Sequence, residues 1–281
     1  MCGRYVRKGD KQKLAEHFHA QPNPAELAMP DADYNVAPTT QQPIIRQSRE
    51  SGEREMVLAR WGLIPFFTKD LSKIKGLSTI NARAESITKA STWREPMKKR
   101  RCIIPAHAFY EWGKAGKPPK QPYAFELSNG NPIGFAGLWD AWKDKGGHWL
   151  QSFAIVTTEA NELMAPIHPR MPVILHPRDY DRWLDREETE RLPIDLLRPF
   201  ESDEFSKREV EPLARELRER VHRWVGIPTC VGIAPTKTLA KVANFIAKKR
   251  PQYRGVFDLR SASVRAELLH TVPVDEVWGI G

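Results

Sequence analysis

Ile133-Gly134-Phe135-Ala136-Gly137-Leu138 and, after a polar interval, Trp149-Leu150-Gln151-Ser152-Phe153-Ala154-Ile155-Val156-Thr157 decide the fold class. Both are short apolar runs rich in aromatic and β-branched residues and interrupted by polar or glycine-bearing stretches, the pattern of strands. Working outward, comparable runs lie at Pro43-Ile44-Ile45, Met56 to Trp61, Arg101 to Ile104, Tyr123 to Leu127 and Pro172 to Leu175, separated by Pro and Gly. In the first two hundred residues helical spacing appears at Asp10 to His19, with Asp10 as cap and Leu14, His17 and Phe18 on one face, and in a short amphipathic turn at Arg178 to Leu184. Strands outnumber helices and do not alternate with them as βαβ units. The expectation is an α+β domain built on a curved or barrel-like mixed sheet with flanking helices.

Near Glu201 to Pro212 the texture changes to a charged stretch without apolar periodicity, so the first domain is expected to span residues 1–211 and an appendage residues 212–281. The appendage reads as mainly helical. Leu213, Leu217, Val221 and Trp224 share one face, and Thr236 to Lys249 forms a second helix with Leu239, Val242 and Ile246 inward and Lys237, Lys241, Lys248 and Lys249 outward. The last residues, Trp278-Gly279-Ile280-Gly281, form a turn of the kind that normally leads into another element.

With 281 residues and 41% hydrophobic content, the chain can bury a sizeable core. Three scattered cysteines, Cys2, Cys102 and Cys230, provide neither a disulfide framework nor the paired spacing of a zinc site. No run approaches the ~18 apolar residues of a membrane span, and the N-terminus carries no apolar h-region, so a cytoplasmic protein is expected. The net charge is +9; residues 213–281 hold 12 Lys and Arg against 6 Asp and Glu, which is +6 of that total and leaves +3 for the rest. Such asymmetry fits a polyanionic partner, or a solvated basic surface.

Cys2 follows the initiator methionine in Met1-Cys2-Gly3-Arg4-Tyr5. Removal of Met1 would expose a 1,2-aminothiol, whose amine (~8) and thiol (~8.5) have reference pKa values close to neutrality. An aldehyde meeting this group condenses with the amine, and the thiol closes a five-membered thiazolidine. A small residue near a terminus is also commonly incidental.

Five more segments keep chemical residue types together: Tyr34-Asn35-Val36-Ala37-Pro38-Thr39, Trp61-Gly62-Leu63-Ile64-Pro65, Asn81-Ala82-Arg83-Ala84-Glu85, Phe109-Tyr110-Glu111-Trp112 and Ile167-His168-Pro169-Arg170-Met171-Pro172. With the N-terminal pentapeptide, their order and separation resemble the SRAP family (SOS-response-associated peptidase) over residues 1–211, whose members shield abasic sites in single-stranded DNA by covalent attachment. The resemblance implies Cys2 as nucleophile, Asn81 as a polar group holding the opened sugar, Glu111 as acid/base and His168 as its partner. Each has a plainer reading alone: Asn81 as the cap of a helix over Ala82 to Thr88, Glu111 as a solvent-facing strand residue, His168 as a satisfied loop residue.

Arg4 and Arg83 are candidate phosphate clamps, Asn35 a further DNA contact, and Trp61 with the following Phe66 and Phe67 offers stacking platforms or wedges, against the alternative of core packing. No metal or organic cofactor is implied; the implied partner is single-stranded DNA containing abasic sites, with the protein nucleoid-associated when bound. Two rivals remain: a cysteine-type peptidase using Cys2, Glu111 and His168, and a noncatalytic single-stranded DNA-binding module.

The stretch Gly226-Ile227-Pro228-Thr229-Cys230-Val231-Gly232-Ile233-Ala234-Pro235-Thr236-Lys237-Thr238-Leu239-Ala240-Lys241 resembles UmuC-type Y-family polymerase subunits, and the similarity extends over residues 213–281. It implies a triphosphate-facing lysine at Lys237 and a helix-hairpin-helix opening at Trp278 to Gly281. The family's metal-binding carboxylates have no match here, since Asp258, Asp275 and Glu276 do not fit those motifs, so polymerase activity is not expected.

Overall fold

The computed structural model describes residues 2–9, 11–22, 32–69, 71, 79–113 and 121–272. Met1, the Asp10 cap, Asp275, Glu276 and the Trp278 to Gly281 turn lie outside them.

The strands run β1 Tyr5–Arg7, β2 Gln21–Pro22, β3 Asp33–Val36, β4 Gln41–Gln47, β5 Arg54–Trp61, β6 Asn81–Arg83, β7 Arg101–Ala106, β8 Ala108–Trp112, β9 Pro122–Leu127, β10 Ile133–Lys143, β11 Trp149–Glu159, β12 Arg170–Pro172, β13 Ile174–Leu175, β14 Phe205–Glu209, β15 Val231–Ile233 and β16 Val256–Asp258. The helices are α1 Lys11–His17, α2 Ser91–Lys99, α3 Tyr180–Leu184, α4 Val210–Val225, α5 Lys237–Lys249 and α6 Ala262–Leu269. They divide into two compact units. One comprises Met1–Glu111 with Phe125–Ser206, the other Trp112–Ala124 with Lys207–Gly281, so that the division falls within β8, β9 and β14.

In the first unit, β5, β4, β7, β10 and β11 pair in that order, and β11 pairs back onto β5 to close a barrel. Four of the pairings are antiparallel; the closing one, with Ser152 opposite Arg60 and Phe153 opposite Trp61, is parallel. The two runs that define the fold class are thus the long central strands, β10 and β11. Gly137 is required on β10 by close approach: a Cβ there would lie 2.1 Å from Ile104 Cδ1 and 3.0 Å from Cys102 Sγ. Tyr5, Trp61, Phe135 and Phe153 fill one side of the core, with Tyr5 and Trp61 rings 5.3 Å apart and Trp61 stacked on Phe153. Each such side chain contributes about 1.5–3 kcal/mol by leaving water. A second layer of Ile45, Met56, Ile103, Leu138 and Val156 carries α3 through Tyr180 and Trp183.

Beside the barrel, β1 runs between β3 and β8, antiparallel to both. β6 lies along β11 in parallel, and β12 pairs with β11 from the same strand's C-terminal end.

The second unit contains a parallel pair, β15 and β16, connected through α5. Thr236 caps α5 by accepting a hydrogen bond from Leu239 N at 3.2 Å, while Val242 and Ile246 are buried and Lys237, Lys241, Lys248 and Lys249 exposed, as the spacing expects. α4 begins at Val210 and ends where Gly226 takes φ 71°. Leu217, Val221 and Trp224, which share one face of it, are exposed, and among its described residues Ala214 is buried. The helix meets β15 and β16 on another face, and Arg218 Nε donates to Thr229 O at 2.9 Å there.

Candidate active site

The position of Cys2 follows from strand register. Tyr5 pairs with Phe109, Tyr110 N donates to Arg4 O at 3.0 Å, and continuing the register places Gly3 opposite Glu111 at the end of β8. Cys2 therefore reaches the site as an extension of a paired strand. It is fully buried, and Asn81 Nδ2 donates a 3.0 Å hydrogen bond to its carbonyl oxygen. Asn81 is 7% exposed; its Oδ1 is buried without a hydrogen-bond partner. It opens β6, opposite Ile155 of β11, and only a short 3-10 turn at Ala84–Ser86 follows, so it does not cap a helix over Ala82 to Thr88.

Glu111 is 3% exposed, not solvent-facing. Burial pushes the Cys2 thiol well above its ordinary range, and the Glu111 carboxylate pushes in the same direction. This corrects the expectation of a partly ionised thiol. Sequence places the sulfur beside a titrating amine, whereas the fold withdraws it from water and sets a carboxylate near it. The resting group is a protonated thiol near a buried acid/base candidate.

His168 stands in the turn before β12. Its main-chain N–H donates to Met164 O at 2.9 Å, and ring Nδ1 lies 3.0 Å from both the N and the O of Arg170. The Arg170 guanidinium donates to both oxygens of Glu85 and, through Nη2, to Thr157 O at 2.6 Å. Glu85 and Arg170 each sit inside a segment singled out above, but nothing in the sequence pairs them across 85 positions.

The remaining candidates divide. Arg4 is half-buried with Nη1 donating to Gly3 O at 2.8 Å; Arg83 at the end of β6 and Asn35 on β3 are exposed. Trp61 is 0% exposed and its indole Nε1 donates to Ile80 O at 3.0 Å, so it belongs to the core and offers no face to a base. Aromatic composition looks alike for stacking and packing, and closure of β5 onto β11 decides between them. The neighbours Phe66 and Phe67 are 54% and 49% exposed and meet edge to face at 5.3 Å. Asp140 Oδ2 accepts from Phe66 N at 3.0 Å, and Trp142 Nε1 donates to Thr68 O at 2.7 Å, fixing this aromatic corner from β10.

Among the described residues one group, His176, Glu201 and Glu204, brings three potential metal ligands within 4.8 Å of one another. His176 Nε2 is already paired with Glu201 Oε2 at 3.0 Å. No helix among those residues is long and apolar enough to cross a membrane.

A barrel-flanking strand that carries the buried Cys2 to Asn81 defines a class of site, and similarity to known proteins gives that class its family. The family model for SOS response associated peptidase (SRAP) matches residues 1–216, and the chain belongs to this family. The match runs into α4, beyond the expected boundary at 211. The abasic site processing protein YoqW of Bacillus subtilis is 36% identical over 218 residues, which is 76% of this chain and 93% of that protein. YoaM of the same organism, also an abasic site processing protein, is 37% identical over 215 residues, 76% of this chain and 92% of its own. The mouse abasic site processing protein HMCES is 28% identical, covering 91% of this chain and 80% of its own length. A crystal structure of a Bacteroides thetaiotaomicron protein superposes with a TM-score of 0.69 at 28% identity, covering 76% of this chain and 94% of that one.

Proposed function

We propose that this protein senses abasic sites in DNA during the DNA damage response and crosslinks to them through Cys2, with single-stranded DNA as the substrate form. The observation that carries the reading is the buried placement of Cys2 against Asn81, with the Glu111 carboxylate acting on its thiol. Relatives named abasic site processing proteins support the substrate class.

With Met1 removed, the Cys2 amine attacks C1′ of the ring-opened deoxyribose. The carbinolamine oxygen takes up protons and leaves as water, giving an imine. The thiol sulfur then bonds to the imine carbon while the C=N electron pair moves to nitrogen. The thiol proton passes to Glu111 and on to that nitrogen, so the net change is loss of one water. A protonated thiol suits this order, because the amine acts first and the sulfur needs its base only for ring closure. Asn81 holds the Cys2 carbonyl, and its Oδ1 is an acceptor for a sugar hydroxyl, since a buried acceptor left unmade costs about 1–3 kcal/mol. His168 assists proton movement. Arg4, Arg83 and Asn35 contact the DNA backbone, and Phe66 with Phe67 supplies the stacking surface assigned from sequence to Trp61. Burial that keeps the thiol protonated argues against attack on an unactivated amide, so the peptidase reading is second.

Residues 213–281 are read as a polymerase-like appendage without nucleotidyl transfer, adding affinity through exposed Lys237, Lys241, Lys248 and Lys249. No cofactor enters this scheme, and three free cysteines suit a cytoplasmic setting.

The test is a denaturing gel after incubation with abasic single-stranded DNA. The full chain forms a denaturation-resistant adduct; Cys2→Ala forms none yet still binds the strand. Absence of adduct from the unaltered protein, or equal yield from Cys2→Ala, would overturn the reading.

A further inference from the structure

β6, β11 and β12 lie side by side: Asn81 and Arg83 of β6 pair with Ile155 and Thr157 of β11, and Glu159 of β11 pairs with Arg170 of β12. Asn81 enters the site at the start of β6, and His168 stands two residues before β12. These two groups therefore come from elements separated by a strand, and their relative placement depends on whatever ties the outer elements together. Glu85, on the turn that follows β6, supplies the tie. Both of its carboxylate oxygens accept from the two terminal nitrogens of Arg170, whose Nη2 also donates to Thr157 O and, at 3.3 Å, to Thr157 Oγ1. One guanidinium thus joins the Asn81 element, the central strand and the His168 turn. A forked donor meeting a two-oxygen acceptor fixes orientation as well as distance, which a point charge would not do.

The same residue holds the histidine ring. Arg170 N and O are each 3.0 Å from His168 Nδ1. The N–H serves an unprotonated Nδ1 and the carbonyl serves a protonated one, so the ring keeps its orientation in either state. The two ring nitrogens are thereby told apart, with Nδ1 the one held by Arg170.

We propose that Glu85 is a positioning residue for the crosslinking site: through Arg170 it fixes the 168–170 turn, so that His168 stays anchored at Nδ1 and its ring keeps one orientation relative to the Asn81 element. This rests on the crosslinking function proposed above. Arg170 remains bound to Thr157 when Glu85 is lost, but by hydrogen bonds to one strand only, and the turn is no longer tied to β6. Glu85 is half-exposed and Thr157 fully buried, so the tie has a firm end at β11 and a removable one at Glu85.

The experiment compares the full-length protein with Glu85→Gln and Glu85→Asp by two readouts. The first is the long-range proton–nitrogen NMR pattern of the His168 ring. The second is adduct formation at saturating abasic single-stranded DNA, together with the half-saturating DNA concentration. The unaltered protein should give one ring pattern, with Nδ1 and Nε2 distinct. Glu85→Gln should average them and lower the saturating rate roughly tenfold or more, since small misplacements of a reacting group are costly. Half-saturation should move much less. Glu85→Asp, which keeps the fork, should restore part of the rate and the distinct pattern. An unchanged rate and ring pattern in Glu85→Gln would overturn the proposal, and so would a rate loss with the ring pattern intact. Absence of adduct from the unaltered protein would refute the crosslinking function instead, and the ring pattern alone would then decide whether Glu85 anchors the histidine.

Discussion

Cys2, Asn81 and Glu111 of the first unit are buried and held by strand register, whereas Lys237, Lys241, Lys248 and Lys249 of the second stand exposed along α5. The first arrangement withholds its candidate reactive groups from water and sets their spacing through backbone pairing. The second offers charge without fixed geometry. A site of the first kind supports a reaction at one atom; a surface of the second kind supports salt-dependent attraction for any polyanion. The contrast says that substitutions in the barrel-side cluster should change rates, and substitutions on α5 should change affinity.

The largest effect should come from Glu111→Gln, which keeps size and hydrogen bonding and removes proton transfer. We expect adduct formation and reversal both to slow, by about 10² to 10⁴, since a group that passes protons in both directions obeys microscopic reversibility. Time courses of formation and of strand exchange check it, and a variant with unchanged rates would break the comparison at its strongest point. Asn81→Ala comes next. Losing the bond to the Cys2 carbonyl, worth about 1–3 kcal/mol, should slow crosslinking by roughly ten- to a hundredfold while DNA binding stays close to that of the unaltered protein.

As candidates these residues were legible in the sequence because each lies in a segment whose residue types make chemical sense together. Strand count and the absence of βαβ alternation gave the fold class in the same way. Other features had no local signal. Closure of the barrel by parallel pairing of β5 with β11 joins Trp61 to Phe153 across 92 positions, and the burial of Trp61 follows from that closure. The depth of Cys2, which reverses the expected ionisation of its thiol, depends likewise on β1 lying between β3 and β8. The exposure of Leu217, Val221 and Trp224 on α4 had no signal either: periodicity reports an apolar stripe, not what covers it.

A half-buried titratable group beside β1 sharpens the contrast through stability. Lys8 N donates to His107 Nδ1 at 3.0 Å, and burial, reinforced by the charges of Lys8 and Arg7, lowers the pKa of His107 to about 4. The unfolded value is near ~6.5, so the folded state favours neutral imidazole. Its contribution is fully present above that pH and is lost as pH falls toward about 4. Thermal melting should decline over this window, and His107→Gln should flatten the decline. Parallel pH profiles for the two proteins would count against it.

Replacing Lys237, Lys241, Lys248 and Lys249 together with Gln should have the smallest effect on chemistry. The crosslinking rate at saturating DNA should be unchanged, while affinity for undamaged single strands falls and the salt slope of log K drops by up to about 3, at ~0.7 per phosphate contact. An identical slope would show that α5 does not touch DNA.

The central claim is that both functional groups of Cys2 end in one ring with the sugar carbon. Intact-mass and fragment analysis of the N-terminal peptide, isolated by proteolysis of the denatured adduct, tests it directly. The account predicts a peptide that begins at Cys2 without Met1, carries the deoxyribose remnant with loss of one water, and has neither a free amine nor a free thiol. A peptide that retains Met1, a sugar attached through sulfur alone with the amine still reactive, or attachment at another residue would contradict it.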